Sequence, residues 1–383
     1  MIDCKLFFEL LNKKGIRFYV GVPDSLLKNL CAYIADHADK NRHIVAANEG
    51  NAVALAAGYH LSTGEIGLVY MQNSGEGNAI NPLTSLADPA VYGIPMLLII
   101  GWRGKPGEKD EPQHAKTGKI TLSLLDTLGI PYELLADNLE GAEKGVARAV
   151  NLMREKNMPF ALVVPKETFK EYSAENQRKS LFELTREEAI KIVVNQLEST
   201  DVIISTTGKT SRELFEYRKE LKHDHNKDFL TVGSMGHSSS IALGVALTQP
   251  RRRVYCLDGD GATIMHMGSL AVIGSCCPAN FMHIIINNGS HDSVGGLSTA
   301  GFNIDIPEIA KACGYKHTYE AKTSNDVRKK LKILKSADGP SLLEIKVKKG
   351  ARDDLGRPTC KPKENKAGFM EFMRNYCIST QER

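Results

Sequence analysis

Residues 256–266 read CLDGDGATIMH, with Asp260 between two glycines, after an apolar run and before a helical pattern. Glycines on such a bend let the backbone turn tightly and come close to a ligand. The N–H groups that open the following helix favour an anion. A carboxylate beside a phosphate would repel it, and a Mg2+ ion between the two removes the conflict by taking oxygen ligands from both. That chemistry demands a second oxygen donor at the end of the neighbouring strand. FMHIIINNGSHDS supplies it: Asn288 follows Asp260 by 28 positions (288 − 260), the length of one helix and one strand. Its amide oxygen, with a backbone carbonyl such as that of Ser290, would complete the protein half of a metal shell. G-D-G alone is equally a plain turn with a capping Asp; G-D-G, helix, strand and N-N at this spacing is far more specific.

A second group of chemically capable side chains stands in GWRGKPGEKDEPQHAKTGK, residues 101–119. Arg103, Lys105, Lys109, His114, Lys116 and Lys119 share a loop punctuated by Gly and Pro. Such a loop can wrap a doubly charged anion, and the planar fork of Arg suits phosphonate or sulfonate oxygens. A solvated loop of mixed charge accounts for most of the lysines. Arg103 and His114, with Lys105 beside them, are the substrate-side candidates.

These residues need a scaffold that delivers strand ends. Short apolar runs alternate with amphipathic stretches along the chain. Strands are expected at FYVGV, HIVAA, IGLVYM, PMLLIIGW and FALVVP, then at VIIST, FLTVG, RRVYCLD, FMHIIINN, HTYEA and PSLLEIKV. Helical patterns such as EGNAVALAAGYHL, TLSLLDTLG, TIMHMGSLAVIG and GFMEFMRNYC lie between or after them. Continuous apolar strands separated by helices predict α/β architecture with parallel sheets covered on both faces, and ligands in such sheets bind beyond the C-terminal strand ends. The polar segment 171–184 breaks the rhythm and divides the chain into domains at 1–170 and 185–383. No short sequence repeat is evident.

Composition excludes several classes. The 383 residues carry 49 basic and 45 acidic side chains, a net charge of +4 that is too balanced for a nucleic-acid or membrane-surface partner. No apolar run approaches the ~18 residues of a membrane span, and the start lacks a secretory pattern, so a cytoplasmic location is expected. Eight cysteines form no C-x-x-C pair, which argues for reduced thiols rather than a zinc site. A dinucleotide-binding fingerprint after the first strand is missing.

G-D-G followed by N-N resembles the signature of thiamine diphosphate-dependent 2-oxo acid decarboxylases. The resemblance covers nearly the whole chain, through GVPDSLL, QNSGEGNAINPL and NNGSHDSVGG as well. It implies two thiamine-diphosphate-binding-fold domains, pyrimidine-binding first and diphosphate-binding second, with thiamine diphosphate and Mg2+ as cofactors. Asp260, Asn288 and the Ser290 carbonyl would hold the metal, and Gly261 and Ala262 would offer backbone N–H groups. Glu49, opening the helix after HIVAAN, would be the carboxylate on the aminopyrimidine ring. In TVGSMGH, Gly233 would accept from the ring amine and Met235 would bend the cofactor. Thr207, Gly208 and Lys209 of TTGKTS would reach the diphosphate. Asp24 in GVPDSLL matches an acidic residue near the substrate, though helix capping is a rival role.

The resemblance further implies a small anionic 2-oxo acid as substrate: 3-phosphonopyruvate, giving phosphonoacetaldehyde and carbon dioxide in phosphonate (2-aminoethylphosphonate) biosynthesis, with sulfopyruvate as the alternative. It implies a homodimer or larger homo-oligomer with active sites between subunits. Relatives that decarboxylate pyruvate carry a Glu a few residues after N-N, where this chain reads SVGGL. Proton delivery is therefore expected from elsewhere, from Asp24 or His114.

Overall fold

Twelve short strands build two six-stranded sheets in the computed structural model, which describes residues 1–173 and 180–379, with side chains as far as Arg374. Part of the 171–184 segment, residues 174–179, lies outside the described residues. The chain divides into two compact units, Met1–Arg178 with Ser293–Leu297, and Lys179–Asp292 with Ser298–Arg383.

The first sheet contains β1 (Tyr19–Gly21), β2 (His43–Val45), β3 (Gly67–Gln72), β4 (Met96–Gly101), β5 (Tyr132–Leu134) and β6 (Phe160–Val164), in the order β2-β1-β3-β4-β6-β5. The second contains β7 (Val202–Ser205), β8 (Asp228–Leu230), β9 (Val254–Gly259), β10 (Phe281–Asn287), β11 (His317–Ala321) and β12 (Ser341–Lys346), in the order β11-β12-β10-β9-β7-β8. Neighbouring strands are parallel throughout. Counted from its own first strand, each sheet has the same connectivity.

Period-2 alternation explains why the central strands read as unbroken apolar runs. In β4, Leu97 and Ile99 enter one core cluster while Leu98 and Ile100 enter the cluster on the opposite face. In β10, Ile284 and Ile286 face one layer, Phe281 and Ile285 the other. Each such side chain removed from water contributes roughly 1.5–3 kcal/mol.

Three elements depart from expectation. β5 went unforeseen: it has three residues, sits at the sheet edge and is only half buried, so it carries no apolar run. The helix expected at TLSLLDTLG begins earlier, spanning His114–Thr127, because His114, Gly118, Thr121 and Leu125 form a buried stripe at helical spacing. Two of its members are polar and one has no side chain, which hid the stripe. The single helix expected after G-D-G is two, Asp260–Met265 and Gly268–Cys276, broken where the turn at Gly236 packs on Met265 and His266.

Candidate active site

In the first unit every candidate follows the C-terminal end of a strand. Glu49 opens the helix Glu49–Thr63, whose N-cap Asn48 accepts from Asn51 N–H. The Glu49 carboxyl is buried, and its Oε2 accepts from Asn78 Nδ2 at 2.8 Å. Its other side lies against Gly75, where any Cβ would overlap the carboxyl group, so a side chain there would push Glu49 out of place. The segment after β3 therefore clamps Glu49 from two points.

The loop after β4 gathers Asp24, Arg103, Asp110 and His114. Asp24 is fully buried at 0% exposure. Its Oδ2 accepts from Leu26 N–H at 2.8 Å, and its Oδ1 has no hydrogen-bond partner. Burial pushes its pKa up to about 6 against the pull of Arg103. Helix Lys28–His37 starts later, with Leu27 as its N-cap, so Asp24 shapes a turn rather than capping that helix. His114 is also buried with Nδ1 unpartnered, and burial next to Arg103 lowers its pKa to about 4, leaving a neutral imidazole. The Arg103 fork is engaged: Nε donates to Asp110 Oδ2 at 2.8 Å, and one terminal nitrogen donates to Ser25 Oγ at 2.6 Å. Burial pushes the Asp110 carboxyl up, but Arg103 and Gly104 N–H outweigh it and hold it below the usual range. Lys105 stands apart, paired with Glu108 at 3.0 Å.

In the second unit, Asp260 and Asn288 meet as their spacing requires: Asn288 N–H donates to Asp260 Oδ1 at 3.4 Å. Asp260 is buried, which raises its pKa to about 6, and its Oδ2 accepts from the Thr299 hydroxyl. Asp258, Asn287 and Glu344 brace this corner. Asp258 Oδ1 accepts from Gly259 N–H at 2.9 Å, and Asn287 Nδ2 donates to Gly301 O and Glu344 Oε1 at 2.7 and 2.6 Å. Ser290 N–H donates to Asn288 Oδ1 at 3.0 Å. Gly261 lies beneath His291 and Thr299, and Ala262 is buried. Thr207 and Gly233 are joined, Gly233 N–H donating to Thr207 Oγ1 at 3.0 Å. Gly208, at φ 94°, has a backbone that favours glycine and precedes the helix Lys209–Glu220. Met235 is half buried beside the Gly236 turn.

Sequence reasoning missed Asn78, Asp110, Asp292, Thr299 and Glu76. Asn78 and Thr299 act on partners 29 and 39 positions away, Asp110 and Asp292 have near partners but sit in charged or polar loops, and only Glu76, flanked by glycines as Asp260 is, left a mark that reading could have found.

The model for "Thiamine pyrophosphate enzyme, N-terminal TPP binding domain" matches residues 4–123, and that for the C-terminal TPP binding domain matches residues 206–345. A phosphonopyruvate decarboxylase of Streptomyces viridochromogenes is 36% identical over 375 residues, covering 94% of this chain and 92% of the relative. One of Streptomyces hygroscopicus is 37% identical over 390 residues, covering 97% and 94%. The chain belongs to the phosphonopyruvate decarboxylase family of thiamine pyrophosphate enzymes. It is a thiamine diphosphate-dependent decarboxylase, with Mg2+ the usual partner metal of the family. A sulfopyruvate decarboxylase of Methanosarcina acetivorans is more distant, 27% identical over 388 residues, covering 95% and 96%. No helix among the described residues is long and apolar enough to cross a membrane.

The second unit fits this cofactor. Asp260 is a buried carboxylate whose partners are a hydroxyl and N–H groups rather than a cationic side chain. A divalent cation is the counter-charge such a group needs, and the amide and carbonyl oxygens beside it are the hard donors Mg2+ prefers.

Proposed function

We propose that this decarboxylase converts 3-phosphonopyruvate to phosphonoacetaldehyde and carbon dioxide. One observation supports the reading above others: Arg103, with the unpartnered buried atoms Asp24 Oδ1 and His114 Nδ1, forms a polar cluster with donor and acceptor capacity to spare at the C-terminal edge of the first sheet. Buried polar atoms without partners cost stability unless a ligand satisfies them. An anionic oxo acid would bring oxygens to Arg103, with Lys105 as a second cation of the same loop. The identity of the two Streptomyces relatives, over nine-tenths of the chain, supports phosphonate ahead of sulfonate.

In this reading thiamine diphosphate supplies an electron sink for breaking the carbon–carbon bond. Asp260, Asn288 and the Ser290 carbonyl hold Mg2+. Gly261, Ala262, Thr207, Gly208 and Lys209 receive the diphosphate, Gly233 and Met235 set the ring geometry, and Glu49 holds a proton against the pyrimidine. Asp24 and His114 orient the substrate. Domains at 1–170 and 185–383, a homo-oligomer with shared active sites, a cytoplasmic location and a place in 2-aminoethylphosphonate formation belong to the same proposal.

Carbon dioxide release from 3-phosphonopyruvate and from sulfopyruvate, each with and without thiamine diphosphate and Mg2+, tests it. Cofactor-dependent turnover with preference for the phosphonate is expected; preference for the sulfonate overturns the substrate assignment.

A further inference from the structure

Resting on that functional reading, we propose that Glu76 is the acid that protonates the product carbon after carbon dioxide leaves. The position carries the assignment. Asn73 at one end of its segment donates to Arg103 O at 2.8 Å and to Thr121 Oγ1 at 2.9 Å. At the other end, Gly75 abuts the Glu49 carboxyl and Asn78 donates to it. Glu76 thus lies on the short bridge between the candidate substrate anchor and the candidate ring acid. It is 4% exposed, and its Oε1 has no hydrogen-bond partner. A Cβ built on the adjacent Gly77 would meet open space, so the face beside it is free to admit a ligand.

The two sheets supply an independent observation. β3 and β9 are the third strands of sheets with identical connectivity, and each is followed at its C-terminal end by an acid between glycines: Gly75-Glu76-Gly77 and Gly259-Asp260-Gly261. Both acids are buried. Parallel sheets present ligand-facing groups at this edge, and Asp260 is the one read here as meeting the cofactor's metal.

Protonation states agree with the geometry. Burial alone pushes Glu76 up to about 8, so it carries its proton at neutral pH. His114, lowered to about 4, is a neutral imidazole and no acid at this pH, and Asp24, at about 6, is mostly ionised. The step balances: the bond to the carboxylate breaks, its electron pair remains on the former carbonyl carbon, the Glu76 proton forms the new C–H bond, and solvent returns a proton to Glu76.

The test compares wild type, Glu76→Gln and Glu76→Asp as thiamine diphosphate–Mg2+ holoenzymes, with whichever of the two acids the wild type accepts. One assay follows aldehyde. The other follows carbon dioxide in the presence of ferricyanide, where two equivalents take the electron pair and water supplies the oxygen of the carboxylic acid formed, so no proton on carbon is needed. In Glu76→Gln, aldehyde formation is expected to fall about 100-fold or more while the ferricyanide-linked rate stays within roughly threefold; Glu76→Asp, which keeps an acid, retains part of the aldehyde rate. A Glu76→Gln enzyme that keeps its aldehyde rate, or loses both rates together, overturns the assignment and leaves the functional reading standing. A wild type that releases carbon dioxide from neither acid overturns the functional reading and this assignment with it.

Discussion

Asn288 Nδ2 donates to Asp292 Oδ2 at 2.7 Å, and together with Ser290 N–H on Oδ1 at 3.0 Å that contact sets which way the Asn288 amide faces. The same Asp292 oxygen accepts from Arg186 at 2.9 Å, and Arg186 is held by two further hydrogen bonds to Glu213 at 2.7 and 2.9 Å. With its nitrogen committed to Asp292, the Asn288 amide turns Oδ1 the other way, the orientation that the proposed metal-ligand role needs. Groups that orient a ligand typically carry 10–100-fold in metal affinity. Asp292→Ala is therefore expected to weaken Mn2+ binding in the presence of thiamine diphosphate by about 10–100-fold, read by electron paramagnetic resonance titration. Unchanged affinity would show that the amide is oriented by other means.

Asp260→Asn removes the charge that matches the cation. Calorimetric titration of the variant with thiamine diphosphate and Mg2+ should show binding weakened by two orders of magnitude or so, and the melting temperature should no longer rise on adding both. Chelation of Mg2+ from the wild type should produce the same loss.

Glu49→Gln keeps the volume of the side chain and its contacts with Gly75 and Asn78. Turnover should drop by about 100-fold or more, with diphosphate-dependent binding little changed. Near wild-type activity in this variant would refute the role.

Arg103→Lys retains a cation but loses the fork. An increase in KM of roughly tenfold with a smaller change in kcat is expected if the fork holds the substrate anion. Asp110→Asn separates two roles for the residue. Loosening the Arg103–Asp110 contact should lower KM if substrate displaces Asp110, and should lower the melting temperature alone if the pair only closes the loop.

Glu76 makes stability depend on pH. Its folded pKa, about 8, lies above the ordinary 4.5. The protonated form is favoured by folding, so the contribution is complete below about 4.5 and is lost as pH rises toward 8, at about 1 kcal/mol per pH unit. The denaturant midpoint of cofactor-free Glu76→Gln should therefore gain on that of wild type between pH 5 and pH 8. A constant difference across that range would contradict the shift.

The meeting of Asp260 with Asn288 was legible because one helical crossover and one strand fix the spacing between neighbouring strand ends. Eleven of the twelve strands were legible, the central ones as continuous apolar runs because both their faces are buried, the half-buried β2 and β11 as short β-branched or aromatic stretches. The rest depends on contacts that no local pattern encodes. Asn78 reaches Glu49 across 29 positions, Asn73 reaches Arg103 across 30, and Arg186 reaches Asp292 across 106. Asp110 was hidden among the charges of a loop whose lysines drew more notice than its acids.

The first sheet draws its last strand in sequence, β6, into an interior place between β4 and β5, and β6 ends at Val164, well before β7 begins at Val202. During synthesis the N-terminal half therefore has every strand it needs before the second sheet has started to emerge from the ribosome. Vectorial, half-by-half folding on the translating ribosome follows from that ordering, and the residues between the two sheets give the ribosome time to release β6 before new apolar strands appear to compete with it.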